Sequence, residues 1–200
     1  MACPFPMASL LENDKATLRR AALARRDALD AAERAAASAA IAARPLPVAA
    51  GPGLIVSGYL PIRSELDPRP LMVRFVEAGA QLALPCVMGR GQPLVMRAWG
   101  FGEPTVSRQW GLQEPPAGTP EVFPDILLVP LAAFDRAGHR IGYGAGYYDL
   151  TIAGLRARKP LTAIGVAFAT QEALKIPTDG HDARLDLVLT ECEVIVFNDC

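Results

Sequence analysis

At 200 residues and 51% hydrophobic composition the chain is long and apolar enough to fill one core, which excludes a disordered chain. A formal net charge of −1 supplies no global field to gather nucleic acid, so any anion site has to be local. Cys3, Cys86, Cys192 and Cys200 make no CxxC or Cys/His cluster, against a zinc site or a disulfide framework, and no apolar stretch nears the roughly 20 residues that span a bilayer.

Residues 1–13 lack periodicity and read as a flexible lead-in. The remainder, 14–200, reads as a single α/β domain. Met1–Leu11 has no basic flank followed by an apolar core, so a cytoplasmic protein is expected. Asp14 is placed to cap a helix from Lys15, and Asp30 with Glu33 form a capping-box pattern that splits the Ala-rich region to Arg44 into two helices, ended by Pro45 and Pro47. Lys15, Arg19 and Arg26, at spacings of four and seven, share one face of the first helix; by spacing alone this basic stripe reads as a solvated face.

Leu54–Leu60 reads as a buried strand, followed by a loop, Pro61–Asp67, that holds Glu65. Asp67-Pro68 opens a helix that closes near Gly79, and Gln81–Val87 is the next strand, an order that favours parallel neighbours. Leu94–Trp99 is a further strand. The Gly-, Pro- and Glu-rich segment 100–124 is long for a plain connection, so a flap over a ligand is the reading; Trp110 within it is a flap residue or a packing anchor, and Glu114 is the acidic residue to follow.

Ile126-Leu127-Leu128-Val129 has the unbroken apolar character of a strand covered on both faces. After it, Gly142, Gly144 and Gly146 alternate with Tyr143 and Ala145 and run into Tyr147, Tyr148 and Asp149. Glycines at that density allow positive φ and turn successive N–H groups toward a ligand, and the order strand, glycine loop, helix suits phosphate. The spacing fits neither the dinucleotide fingerprint nor the Walker A loop. Asp149, in the first helical turn, is placed to hold Mg²⁺ beside phosphates or simply to offset the helix dipole. A helix to about Lys159, a buried strand Thr162–Phe168, a Pro177–Asp182 turn with His181, the run Leu185–Leu189 and an edge strand Val194–Phe197 complete the chain. Asp186 interrupts that last apolar run and is either a cap or a ligand.

Taken together, VPLAAFDRAGHRIGYGAGYYD, the basic Lys15–Arg19 helix, Tyr59 with Glu65, Met96–Trp99, Trp110–Pro115, Gln171 and His181-Asp182 through Asp186 to Thr190-Glu191 resemble the 5-formyltetrahydrofolate cyclo-ligase family. The resemblance implies a three-layer α/β/α fold with a mostly parallel central sheet, similar to the sugar-phosphate isomerase and CoA-transferase group. It also implies ATP- and Mg²⁺-dependent cyclisation of 5-formyltetrahydrofolate to 5,10-methenyltetrahydrofolate with release of ADP and phosphate. Lys15, Arg140 and Tyr148 would act in catalysis. Lys15, Arg19, Arg140 and Gly142 through Asp149, that is Tyr143, Gly144, Ala145, Gly146, Tyr147 and Tyr148 between them, would bind ATP. Leu60, Glu65, Trp110, Gly144, Gly146, Tyr147 and Tyr148 would line the folate pocket, and Asp149 and Asp186 would hold Mg²⁺. The partners implied are ATP and a folate, with no nucleic acid or membrane, and a monomer. Some relatives carry a basic residue where Tyr143 and Ala145 stand, and Arg where Leu150 stands. A non-catalytic folate- or nucleotide-binding protein of the same fold is the alternative.

Overall fold

The computed structural model describes residues 7–45 and 48–197; Pro47, Cys3 and Cys200, used above, lie outside them. Its frame is a seven-stranded sheet in the order β11-β10-β9-β6-β1-β2-β3. The ranges are β1 Ile55–Ser57, β2 Gln81–Cys86, β3 Val95–Ala98, β6 Ile126–Pro130, β9 Thr162–Val166, β10 Leu187–Leu189 and β11 Val194–Val196. β10, β9, β6, β1 and β2 run parallel, while β3 and β11 close the edges antiparallel. The antiparallel last strand at an edge agrees with the reading of 194–197. Two small hairpins stand apart, β4 (Val106–Ser107) with β5 (Gln113–Glu114) and β7 (Ala133–Phe134) with β8 (Arg140–Ile141).

The apolar run of β6 divides as a strand covered on both faces must. Ile126 and Leu128 join Ile41 of α2 (Ala31–Ala43) and Leu71, Met72 and Phe75 of α3 (Arg69–Glu77) on one side of the sheet. Leu127 and Val129 join Ile152 and Leu155 of α4 (Tyr147–Arg156) on the other. Helices on both faces give the three layers. The capping box at Asp30 and Glu33 forms, each side chain bonding the other's backbone N–H at 2.8 Å. At α3 the Asp67 carboxylate accepts from Arg69 N–H at 2.9 Å, and Gly79 leaves the helix at φ +96°, a conformation open to glycine. Among the described residues no helix is long and apolar enough to cross a membrane.

One boundary differs. α1 runs Met7–Asp27, so Asp14 lies inside a helix that the sequence placed after it. Met, Ala, Leu and Glu between 7 and 13 are strong helix formers, and their propensity carries the helix through a residue that would otherwise cap it. α1 is not part of the two main layers. Leu18 and Ala22 pack on Ala133, Ile141 and Ile176, so the helix lies over the β7–β8 hairpin and the loop that follows it.

Candidate active site

The chain passes from β1 outward to β2 and later returns to lay β6 against the other side of β1, so the strand order reverses between β1 and β6. In an open parallel sheet the crevice beyond the strand C-termini at such a reversal is where ligands bind. Here a two-lobed cleft occupies it. The larger lobe, about 410 Å³, is lined by Lys15, Arg19, Arg140, the 142–146 loop, Asp149, Asp179 and Asp182. The smaller, about 100 Å³, is lined by Tyr59, Leu60, Glu65, Leu112 and Glu114 among others, and the lobes share Pro130, Tyr147 and Tyr148.

The glycine loop forms the floor of the larger lobe. Gly144 and Gly146 adopt φ of +99° and +69°, and Gly146 is the residue that starts α4, so backbone N–H groups and a helix N-terminus converge there. Gly142 does not need the left-handed region; its carbonyl accepts from Arg19 Nε at 2.7 Å. The Arg19 guanidinium then lies across Gly144, 3.5 Å from where a Cβ would stand, an ordinary contact distance, so it is the positive φ and not crowding that calls for glycine at 144. Lys15 Nζ reaches Asp182 at 2.6 Å and Asp179 at 3.0 Å. Partial burial works to lower the Lys15 pKa, but the two carboxylates outweigh it and raise the value. Arg140, with only 3% of its side chain exposed, donates to Asp149 at 2.8 Å and to the Ala183 carbonyl, and Asp149 also accepts from Ala183 N–H at 3.1 Å. The basic face of α1 is therefore turned onto the glycine loop, not to solvent. A helix face alone gives no sign of what packs on it.

Arg26 is the least expected member of that face. It is 2% exposed, donates from Nη1 to the Tyr143 hydroxyl at 2.9 Å and from Nε to Ser64 Oγ at 3.0 Å, and holds its guanidinium 5.8 Å from the Tyr143 ring centre. The tyrosine at 143 thus has an arginine behind it.

In the smaller lobe Glu65 accepts from Ile62 N–H at 2.9 Å. Burial raises its pKa, against the opposing pull of that N–H, the Tyr143 hydroxyl, Arg26 and Arg63. The same burial, with the Glu65 charge nearby, pushes the Tyr143 phenol up to about 12 and the Tyr148 phenol higher still, so both remain hydrogen-bond donors at neutral pH. Glu114, 4% exposed, is fixed by Val87 N–H at 2.9 Å and Arg108 Nε at 3.1 Å. Leu60, Tyr147 and Tyr148 line this lobe.

Two expected members do not reach the cleft. Trp110 is 68% exposed at φ +61° and lines neither lobe; Leu112, two residues on, lines the wall instead. Asp186 is at the far end of α4, where its Oδ2 accepts from Arg156 at 2.8 Å and from Ala163 N–H at 2.6 Å. It closes the N-terminal ends of β9 and β10, opposite the ends that build the cleft. Asp149 and Asp186 thus do not share a metal site; the acidic residue that breaks the apolar run is the strand cap. Asp179 and Asp182, partners of Lys15, lie in an Asp-rich turn of ordinary surface composition, so the sequence alone carries no sign of that pairing. Gln171 is structural: 1% exposed, its Nε2 donates to the carbonyls of Leu131 and Ala132 at 2.8 and 3.0 Å and fixes the exit of β6.

A Mg²⁺ ion fits a narrower donor set. No cluster of three His, Cys, Asp or Glu residues able to hold a metal occurs among the described residues. Of the three carboxylates that line the larger lobe, Asp179 and Asp182 are paired with Lys15 and Asp149 adjoins the glycine loop; one carboxylate completed by substrate phosphates and water is a usual way for Mg²⁺ to be held.

Residues 11–191 match the model of the 5-formyltetrahydrofolate cyclo-ligase family. The 5-formyltetrahydrofolate cyclo-ligase of Mycolicibacterium smegmatis is 34% identical over 156 residues, 72% of this chain and 77% of the relative. That of Escherichia coli is 29% identical over 145 residues, 70% and 79% of the two chains. The 5,10-methenyltetrahydrofolate synthetase of Aquifex aeolicus superposes with a TM-score of 0.74 at 29% identity, covering 93% of this chain and 94% of that one. The synthetase of Mycoplasma pneumoniae, at 22% identity and a TM-score of 0.69 over 89% of this chain and 99% of that one, shares the fold.

Proposed function

The chain belongs to the 5-formyltetrahydrofolate cyclo-ligase family, and from that premise we propose how its cleft divides the work. The protein is a ligase that closes 5-formyltetrahydrofolate to 5,10-methenyltetrahydrofolate at the expense of ATP. The larger lobe takes the ATP phosphates and the smaller takes the pterin, with the formyl group over Tyr147 and Tyr148, the tyrosines common to both. The single observation that carries this division is the two-lobed cleft itself, one lobe floored by backbone N–H groups and cations, the other walled by tyrosines and a buried carboxylate.

In this reading the formyl oxygen takes the γ-phosphoryl group, ADP leaves, N10 attacks the formyl carbon, and the carbon–oxygen bond breaks as phosphate departs with loss of the N10 proton. The protein has little covalent chemistry to do; it positions and neutralises. N–H groups at Gly144 and Gly146 and the N-terminus of α4 meet the phosphates. Lys15 and Arg19 meet their charge from α1, and Arg140 orients Asp149. Asp149 would hold Mg²⁺ together with the nucleotide, and the ion would supply further charge neutralisation there. Glu65 accepts hydrogen bonds from the pterin, and Tyr148, protonated, donates toward the formyl oxygen. Lys15, Arg140 and Tyr148 are the catalytic residues of this reading. It also takes the protein as cytoplasmic and as a monomer, the latter checked by light scattering on the purified protein.

The deciding experiment follows the absorbance of the methenyl product with 5-formyltetrahydrofolate, ATP and Mg²⁺. Product that requires all three is expected. Folate binding without product in any condition would replace the ligase by a sequestering protein.

A further inference from the structure

Arg26 lines neither lobe, yet it is bonded to a residue of each of the two loops that build them. Its Nη1 holds Tyr143, in the glycine loop; its Nε holds Ser64, next to Glu65. The Tyr143 hydroxyl that it grips stands beside the Glu65 carboxylate. A guanidinium is planar and presents its donors in a fixed fork, so two bonds to two loops also set the distance between those loops. With Arg26 only 2% exposed, neither bond is traded freely for water. Ser64 Oγ in turn donates to Asp27, the next residue of α1, which locks the fork in place.

We infer that Arg26 is a positioning residue that couples the two lobes, holding Tyr143 and Glu65 in register so that nucleotide in the glycine loop tightens folate binding. Movement of the glycine loop onto phosphates displaces Tyr143, and through the fork the 61–65 loop follows. The inference rests on the assignment of nucleotide and folate to the two lobes. Glu65 is faced by Ile62 N–H and Arg63 from its own loop, Arg26 from α1, Tyr143 from the glycine loop, Tyr148 from α4 and Tyr59 from the β1 exit, with Glu114 on the opposite wall. Arg26 and Arg63 are the cations of that set, and Arg26 is the buried one.

The test measures folate affinity with and without a non-hydrolysable ATP analogue and Mg²⁺, and the acid limb of kcat/KM for 5-formyltetrahydrofolate. In the unsubstituted protein the analogue is expected to tighten folate binding by about fivefold or more. Arg26→Met should bring that ratio near one and move the acid limb to higher pH, because Glu65 loses a nearby cation. Tyr143→Phe, at a half-exposed position where folding is safe, should lower the ratio likewise and stands in if Arg26→Met does not fold. A ratio of one in the unsubstituted protein, or a ratio and acid limb unchanged in the foldable variant, would overturn the inference. Absence of turnover in the unsubstituted protein bears on the ligase reading instead, since the binding ratio is read without turnover.

Discussion

The two ends of α4 carry the same pair, an aspartate held by an arginine at 2.8 Å, and differ in everything around it. At the N-terminal end Asp149 and a nearly buried Arg140 sit beside two left-handed glycines and a helix N-terminus, at the C-terminal ends of the parallel strands. At the other end Asp186 and a one-third exposed Arg156 tie down the start of β9. A carboxylate in an apolar setting with an arginine partner is therefore not a sign of chemistry in itself. Which end of the sheet it occupies, and whether backbone donors converge there, decides.

That contrast is broken or sharpened most strongly by the matched pair Asp149→Asn and Asp186→Asn. Asn at 149 keeps an oxygen for Arg140 and Ala183 but loses the charge, so turnover should fall by about two orders of magnitude while the melting transition stays close to that of the parent. Asp186→Asn should leave turnover within a factor of about two and cost about 1 kcal/mol of stability in urea unfolding, from a weakened strand cap and ion pair. Comparable losses of turnover in both would erase the difference between the two ends.

Glu65→Gln probes the cost of burying a carboxylate in the smaller lobe. Burial raises the Glu65 pKa from 4.5, so the folded state prefers the protonated form and pays for ionisation as pH rises through the raised value. Stability from this group is thus present below about pH 4.5 and lost above it. The variant should bind folate about tenfold more weakly, yet melt higher than the parent at pH 7, with the gain vanishing at pH 4, a pattern that differential scanning calorimetry at both values resolves. The smallest effect is expected from Trp110→Ala, less than about twofold in KM for folate, because the ring lines neither lobe. A large rise in KM would mean that the 100–124 segment folds over bound substrate.

Much of the frame was legible because its signals are local. Ile126–Val129 has no polar residue to confuse its meaning, Asp30 with Glu33 is a self-contained cap, and Asp67-Pro68 followed by Gly79 brackets α3. The site was legible where backbone geometry is written as glycine, at 144 and 146. It was illegible where the meaning depends on a distant partner. Asp186 reads alike as ligand or strand cap until Ala163 and Arg156 are seen beside it. Arg26 reads as a surface cation until Ser64 and Tyr143, 38 and 117 residues away, close over it. Trp110, the most conspicuous side chain of its segment, points outward, and Leu112 does the lining.

Lys15 enters the cleft already engaged by Asp179 and Asp182. In the proposed assignment, where Lys15 meets the ATP phosphates, an arriving anion competes for the amine with two carboxylates, and as that anion leaves they reclaim it. The pair therefore acts as an internal competitor. It sets a threshold that a small free anion touching Lys15 alone does not pass, whereas a polyphosphate that also meets the glycine loop and Arg19 does. It also shortens the stay of a product that has lost those additional contacts. In that assignment, selectivity among anions and release of the spent one follow from the same two side chains, neither of which needs to touch the reacting atoms.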